Sequence, residues 1–86
     1  MKVWRLKMSQ FIYRSKEEEP QIGDWVTIDI WNDISGIDST NGVLIGRMKY
    51  IDSDEFLWAV EAFDYGDQVF LIKQRNLKDI RYIIAK

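Results

Sequence analysis

Residues 25–31 read Trp-Val-Thr-Ile-Asp-Ile-Trp, an unbroken period-two alternation. Successive side chains of an extended strand leave opposite faces. The segment therefore sets Val26, Ile28 and Ile30 on one face and Trp25, Thr27, Asp29 and Trp31 on the other. The same grammar recurs downstream. Strands are predicted over residues 43–51, 56–63, 69–75 and 80–85, with Phe56, Trp58, Val60 and Ala62 sharing one face of the second of these. Turn-forming clusters separate them: Asn41-Gly42, Asp52-Ser53-Asp54-Glu55 and Asp64-Tyr65-Gly66-Asp67. Helix signals are almost absent, so the chain is predicted to be all-β.

The remaining segments complete one domain over residues 1–86. Residues 3–13 alternate, with Trp4, Leu6, Met8 and Ile12 on one side and Arg5, Lys7 and Ser9 on the other. A slip near Gln10 and Phe11 marks a bulge or a strand end. A helical stripe through Trp4, Met8, Phe11 and Ile12 is the competing reading. Residues 15–23 hold three consecutive glutamates and the only proline, and this charged linker will not sit inside a sheet. It separates an N-terminal strand (1–14) from a barrel (24–86). Residues 32–42 are predicted as a long turn-rich loop. Gly46 is expected to mark a bulge or bend within its strand, and Asn76-Leu77-Lys78-Asp79 one helical turn.

From Gly23 to Ile84 the order is strand, long loop, bent strand, hairpin, strand, hairpin, strand, helical turn, short strand. With its Gly23-Asp24-Trp25-Val26 opening, this resembles the SH3-like and Sm-like small barrels. The resemblance implies a barrel of about five strands, here with an additional N-terminal strand. It does not extend to proline-rich ligands, because residues 32–42 lack the aromatic doublet that binds them in true SH3 domains. The fold class hosts binders of protein, nucleic acid and methylated lysine, so fold alone names no function.

Composition narrows the chemistry. The chain of 86 residues has no cysteine and no histidine. Disulfides, thiolate chemistry, imidazole bases and the usual zinc sites are therefore excluded. Aspartate and glutamate in turns offer no deep cleft for acid–base work, so no enzyme activity, metal or cofactor is expected. Asp52-Ser53-Asp54-Glu55 is too short and lacks the turn glycine of a calcium loop. A small secreted domain usually relies on disulfides. Their absence, with no apolar leader after the basic start and no long apolar run, predicts a cytoplasmic protein.

Charge is sorted along the chain. Residues 1–16 carry five Lys/Arg and no acid; residues 17–67 carry thirteen acids and only Arg47 and Lys49; residues 68–86 carry five Lys/Arg and only Asp79 as an acid. The alternation turns this into two candidate surfaces. An acidic–aromatic face would use Trp25, Asp29, Trp31, Asp33 and Asp38 to dock a protein partner. The two tryptophans are about 20 Å apart along a strand and cannot form one cage by themselves. The alternative for them is burial under the N-terminal strand. A basic face of Arg5, Lys7, Arg47, Lys49, Lys73, Arg75 and Arg81 would bind nucleic acid, or merely keep edge strands soluble.

The resulting expectation is a non-catalytic accessory or inhibitor protein. In size, lack of cysteine and spaced carboxylates it resembles small inhibitors encoded by phages and mobile elements. The alternatives are a nucleic-acid-binding barrel and a structural subunit of a dimer or ring, since Sm-like barrels assemble through edge strands.

Overall fold

The computed structural model describes residues 10–49, 52, 54–66 and 68–84. They form one antiparallel six-stranded sheet: β1 (Gln10–Tyr13), β2 (Trp25–Asn32), β3 (Gly36–Lys49), β4 (Phe56–Ala62), β5 (Val69–Lys73) and β6 (Lys78–Ile84). The spatial order is β1-β6-β2-β3-β4-β5. Short 3-10 turns, Phe63–Tyr65 and Gln74–Asn76, precede β5 and β6. The all-β class is therefore as predicted. Among the described residues β1 and β5 pair on one side only, so the sheet has two edges. The first and last strands are neighbours, with Gln10 opposite Ile84 and Tyr13 opposite Arg81. The part of the predicted N-terminal strand before Gln10 lies outside the described residues.

The long loop predicted over residues 32–42 is instead a tight hairpin. Asn32 pairs with Gly36 across the turn, and Thr27 with Asn41. The Asn32 side-chain oxygen accepts the Ile34 and Ser35 N–H groups at 2.8 and 3.2 Å, an Asx-type turn. Gly36 closes it at φ 87°, a backbone region that glycine enters without steric cost. Asn41-Gly42 is mid-strand. The glycine there serves packing: a Cβ on Gly42 would lie 2.7 Å from both the Glu61 carbonyl oxygen and Val60 Cγ1. The helical turn before the last strand is also displaced, to Gln74–Asn76, and Lys78 already belongs to β6.

Two irregularities decide which side chains face inward. The β3–β4 register shifts between Leu44 and Gly46, the bend predicted at Gly46. One extra residue on a strand inverts the facing of everything beyond it. Leu44 pairs with Val60, and past the bulge Arg47 pairs with Trp58 and Lys49 with Phe56. Arg47 and Lys49 thus share a face with core residues, rather than pointing away as the alternation predicts. The second shift lies between β2 and β6, where Trp25 meets Arg81 and Thr27 meets Lys78. Asp79, at φ 47°, absorbs it.

The core is Val26, Ile28, Leu44, Trp58, Val60 and Leu77, with Ile30, Phe56, Phe70, Ile72 and Ile80 packed around it. This matches the inward face predicted for residues 26–30 and 56–62. Trp58 is fully enclosed, and its indole N–H donates to Gln74 Oε1 at 2.9 Å. A ring this large therefore fills the centre without an orphaned donor.

A buried carboxylate ties together the two ends of the charged linker. Arg14 and the buried Asp24 carboxylate form a two-pronged contact, the second prong at 3.0 Å. The same carboxylate accepts the Gln21 N–H at 2.9 Å. The Arg14 guanidinium lies 4.4 Å from the centre of the Tyr82 ring, and its hydrogen bonds to Asp24 raise its pKa. Main-chain bonds on either side, Arg14 N–H to Ile80 and Leu44 N–H to Asp24, join β1, β6 and β3 at this point.

Removing Arg14 leaves the buried Asp24 carboxylate with only the Gln21 N–H among these partners. Arg14→Ala is expected to cost about 1–3 kcal/mol of unfolding free energy, read by urea denaturation. Gly42→Ala is expected to cost about 1–3 kcal/mol through overpacking, although alanine is ordinarily the better strand residue. An unchanged or raised denaturation midpoint would contradict the tight approach of β3 and β4.

Candidate docking surface

The β2–β3 hairpin outruns its neighbours. β6 pairs with β2 only between Trp25 and Thr27, and β4 joins β3 only from Gly42 onward. Residues 28–41 therefore continue as a two-stranded ribbon, a structure of marginal stability when unsupported. Among the described residues four polar contacts from outside the ribbon anchor its sides, one of them from Arg81 to Asn41 Oδ1 at 3.2 Å. Thr40 Oγ1 donates to Asp64 at 3.1 Å, Tyr65 Oη to Asp38 at 3.4 Å, and Lys78 Nζ meets Asp29 at 2.7 Å.

The outer part of the ribbon is apolar where solvent would favour polar groups. Trp31 is 71% exposed, Ile34 96% and Ile37 65%. Trp31 and Ile37 are direct cross-strand partners, so they lie on one face, with Ile34 in the turn between them. Carboxylates border them. The Trp31 indole N–H donates to Asp33 at 3.0 Å, and Asp29 accepts the Ser39 hydroxyl at 2.7 Å. Hydrogen bonds from Lys78, first, and from Ser39 hold the Asp29 carboxyl below the usual aspartate range. Asp38 points to the opposite side of the ribbon, across from Ile30, and accepts bonds from Asn32 and Ser35.

The five acidic–aromatic residues singled out in the sequence are thus divided. Asp29, Trp31 and Asp33 gather at the hairpin tip, and Asp38 braces it from behind. Trp25 stands apart. Its ring is half-buried between Phe11, 5.0 Å away, and Phe63, 4.6 Å away, centre to centre. For Trp25 the N-terminal strand supplies the cover that the alternative reading expects. Ile34 and Ile37 were not singled out because both fell inside the predicted loop. Asn32 followed by Gly36 carried the true turn signal, in competition with Asn41-Gly42.

The basic residues do not form one open patch. Arg47 lies over the Phe56 and Trp58 rings at 4.2 and 5.5 Å and 3.8 Å from Glu19. Lys49 is 6.0 Å from the Phe56 centre. Lys73 and Arg75 both approach Glu55, at 3.9 and 3.0 Å. Arg81 is buried: it donates to the Asp79 carbonyl and to Asn41 Oδ1 at 2.6 and 3.2 Å, with the Phe11 and Tyr13 rings 5.3 and 5.8 Å away. Arg5 and Lys7 lie outside the described residues.

Among the described residues no cluster of three or more acidic, histidine or cysteine side chains could hold a metal ion. No helix among them is long and apolar enough to cross a membrane. Comparison of the chain with protein-family models, with curated proteins and with solved structures finds no match.

The Asp29 environment yields a titration test. A carboxyl whose folded pKa is depressed adds stability above its unfolded pKa and loses it as pH falls through the folded value. The Asp29 carboxyl is expected to titrate below the ordinary aspartate value by NMR, and Lys78→Ala is expected to move it upward. Equal titration in both proteins would remove the Lys78 contact from the description.

Proposed function

We propose that this chain is a non-catalytic protein-docking module that presents the tip of its β2–β3 hairpin to a partner. The observation that carries the reading is the cluster of Trp31, Ile34 and Ile37, exposed together on a projecting ribbon and edged by Asp29 and Asp33. Isolated exposed apolar residues are ordinary; a tryptophan and two isoleucines in one small patch are a docking signal. Tryptophan is a favoured anchor at interfaces, and rim carboxylates select a partner of opposite charge. The partner fitting this tip has an apolar pocket bordered by Lys or Arg.

An SH3-like open barrel is the architecture that goes with this reading. The meander from β2 to β5, the bend in β3, the 3-10 turn before β6 and the return of β6 to β2 support it. The tight turn at residues 33–35 stands where that class carries its long first loop. An accessory or inhibitory role in the cytoplasm belongs to the same proposal, motivated by the absence of cysteine and by the acidic tip. The nucleic-acid alternative finds less support, because Arg81 is buried and Arg47 and Lys49 lie over aromatic rings of their own chain, so the described cations do not make one continuous face.

The test compares wild type with the Trp31→Ala/Ile37→Ala variant as bait in a lysate of the native host, with and without nuclease. Trp31 and Ile37 are solvent-exposed, so the variant is expected to keep its stability within about 0.5–1 kcal/mol. Loss of an anchor of this kind weakens binding by about 2 kcal/mol or more, roughly thirtyfold. A partner retained after nuclease and lost with the variant fits the proposal. Capture that is equal for both baits, or abolished by nuclease, overturns it.

A further inference from the structure

A groove of about 530 Å³ runs beside β5, lined by Asp29, Leu71, Ile72, Lys73, Arg75, Asn76 and Lys78. Leu71, Ile72 and Lys73 are consecutive, and consecutive strand side chains leave opposite faces. A groove that touches all three therefore follows the edge of the strand rather than either face. That edge is open: among the described residues β5 pairs only with β4. Across the groove stand Lys78 of β6 and Asp29 of β2, and the 3-10 turn Gln74–Asn76 closes one end.

An unpaired edge presents a row of main-chain donors and acceptors that another extended chain can complete. The side chains around this row set the sequence it would take. Lys73, Arg75 and Lys78 contribute three cations, against Asp29 as the one acid in the lining. Their present ion pairs are with half-exposed carboxylates, Glu55 and Asp29. Such surface pairs contribute little and exchange readily. The apolar groups alternate with the charge: Ile72 is half-buried at the core side, while Leu71 is 56% exposed on the outer side. The outer face beside Leu71 continues with Val69, and with Ala59 on β4.

We propose that this groove accepts an acidic, extended peptide segment of another protein, which adds to β5 as a further strand. Apolar side chains of the segment would lie against Ile72. Alternate acidic side chains would meet Lys73, Arg75 and Lys78. A peptide suits the groove better than a nucleic acid for two reasons. The edge offers main-chain hydrogen bonds that a sugar-phosphate backbone cannot complete as a strand, and no aromatic ring lines the groove for base stacking. The inference rests on the β5 edge and its cations rather than on Trp31, Ile34 and Ile37 of the hairpin; Asp29 is the one residue the two surfaces share.

The test uses the full chain and fluorescence anisotropy with a short labelled peptide of alternating Glu and Val. The comparison probes are its Lys/Val counterpart, the same acidic peptide N-methylated at alternate backbone nitrogens, and a single-stranded oligothymidylate. The acidic peptide is expected to bind saturably and to weaken with added salt. The Lys/Val and N-methylated peptides are expected to bind at least about tenfold more weakly, since one loses the charge match and the other the strand hydrogen bonds. Amides within Val69–Lys73 are expected to gain hydrogen-exchange protection. Lys73→Gln with Arg75→Gln should weaken binding roughly fivefold, from two surface charge contacts. Equal binding of the N-methylated peptide, tighter binding of the oligonucleotide, protection confined to another strand, or no saturation at millimolar peptide would each overturn the proposal. The peptide comparisons are made on wild type, so they stand even if the double variant fails to fold.

Discussion

A guanidinium and a carboxylate meet where the charged linker joins the sheet, and the arrangement of residues 10–24 depends on that contact. Asp24 is buried immediately before β2, a position costly for a charge unless it is paired and hydrogen-bonded. Arg14 supplies the pair from the end of β1, and the Gln21 N–H supplies a further bond. Because Arg14 also rests on Tyr82 of β6, one side chain connects β1, β6 and the entry to β2. The linker between them, with three glutamates, forms no strand and reaches the sheet where the Gly23 N–H donates to Leu44 and Glu19 approaches Arg47. The ion pair closes that linker into a loop and holds the four-residue β1 against the sheet.

From this anchor the two bulges distribute the charges. Without the shift at residues 44–46, Arg47 and Lys49 would leave the outer face of β3 and widen a basic surface there. With it, both reach the rim of the core and lie over aromatic rings. The shift at Asp79 brings Arg81 beside Trp25, where Asn41 and the Asp79 carbonyl receive it. The segregated charges of the sequence are thus partly cancelled in space. What remains is an apolar hairpin tip with an acidic border, and a groove beside β5 with three cations.

Those two surfaces share a physical origin in incomplete pairing. The β2–β3 ribbon projects because β6 and β4 stop short of its tip, and the β5 edge stays open because no described strand closes the sheet there. Pairing that stops early leaves backbone and side chains available to another molecule.

Period-two alternation made the core of β2 and β4 readable directly. Val26, Ile28, Trp58 and Val60 are inside because polar groups separate them at every second position of β2, and their own bulk separates them in β4. The bend near Gly46 was equally legible, since a glycine in a β-branched strand has few other uses. The turn was not, because Asn32 to Gly36 and Asn41-Gly42 carry comparable local signals. Only the approach of β4, which leaves no room for a Cβ at residue 42, distinguishes them. Ile34 and Ile37 were missed with it, for a side chain in a presumed loop has no assigned face.

The amino-acid order by itself determined the all-β class, the place of β2 and β4 and the sign of each charge block, since these follow from local periodicity and composition; the first half of β3 and the start of β6 it did not. Tertiary structure alone decided which charges meet. Facing inverts with a single inserted residue, and whether a cation is open or paired depends on a neighbour from elsewhere in the chain. Arg81, basic and outward by the sequence alternation, is enclosed by Phe11, Asn41 and the turn at Asp79; Trp31, as apolar as Trp25, stays in solvent because among the described residues no ring packs over it as Phe11 and Phe63 pack over Trp25.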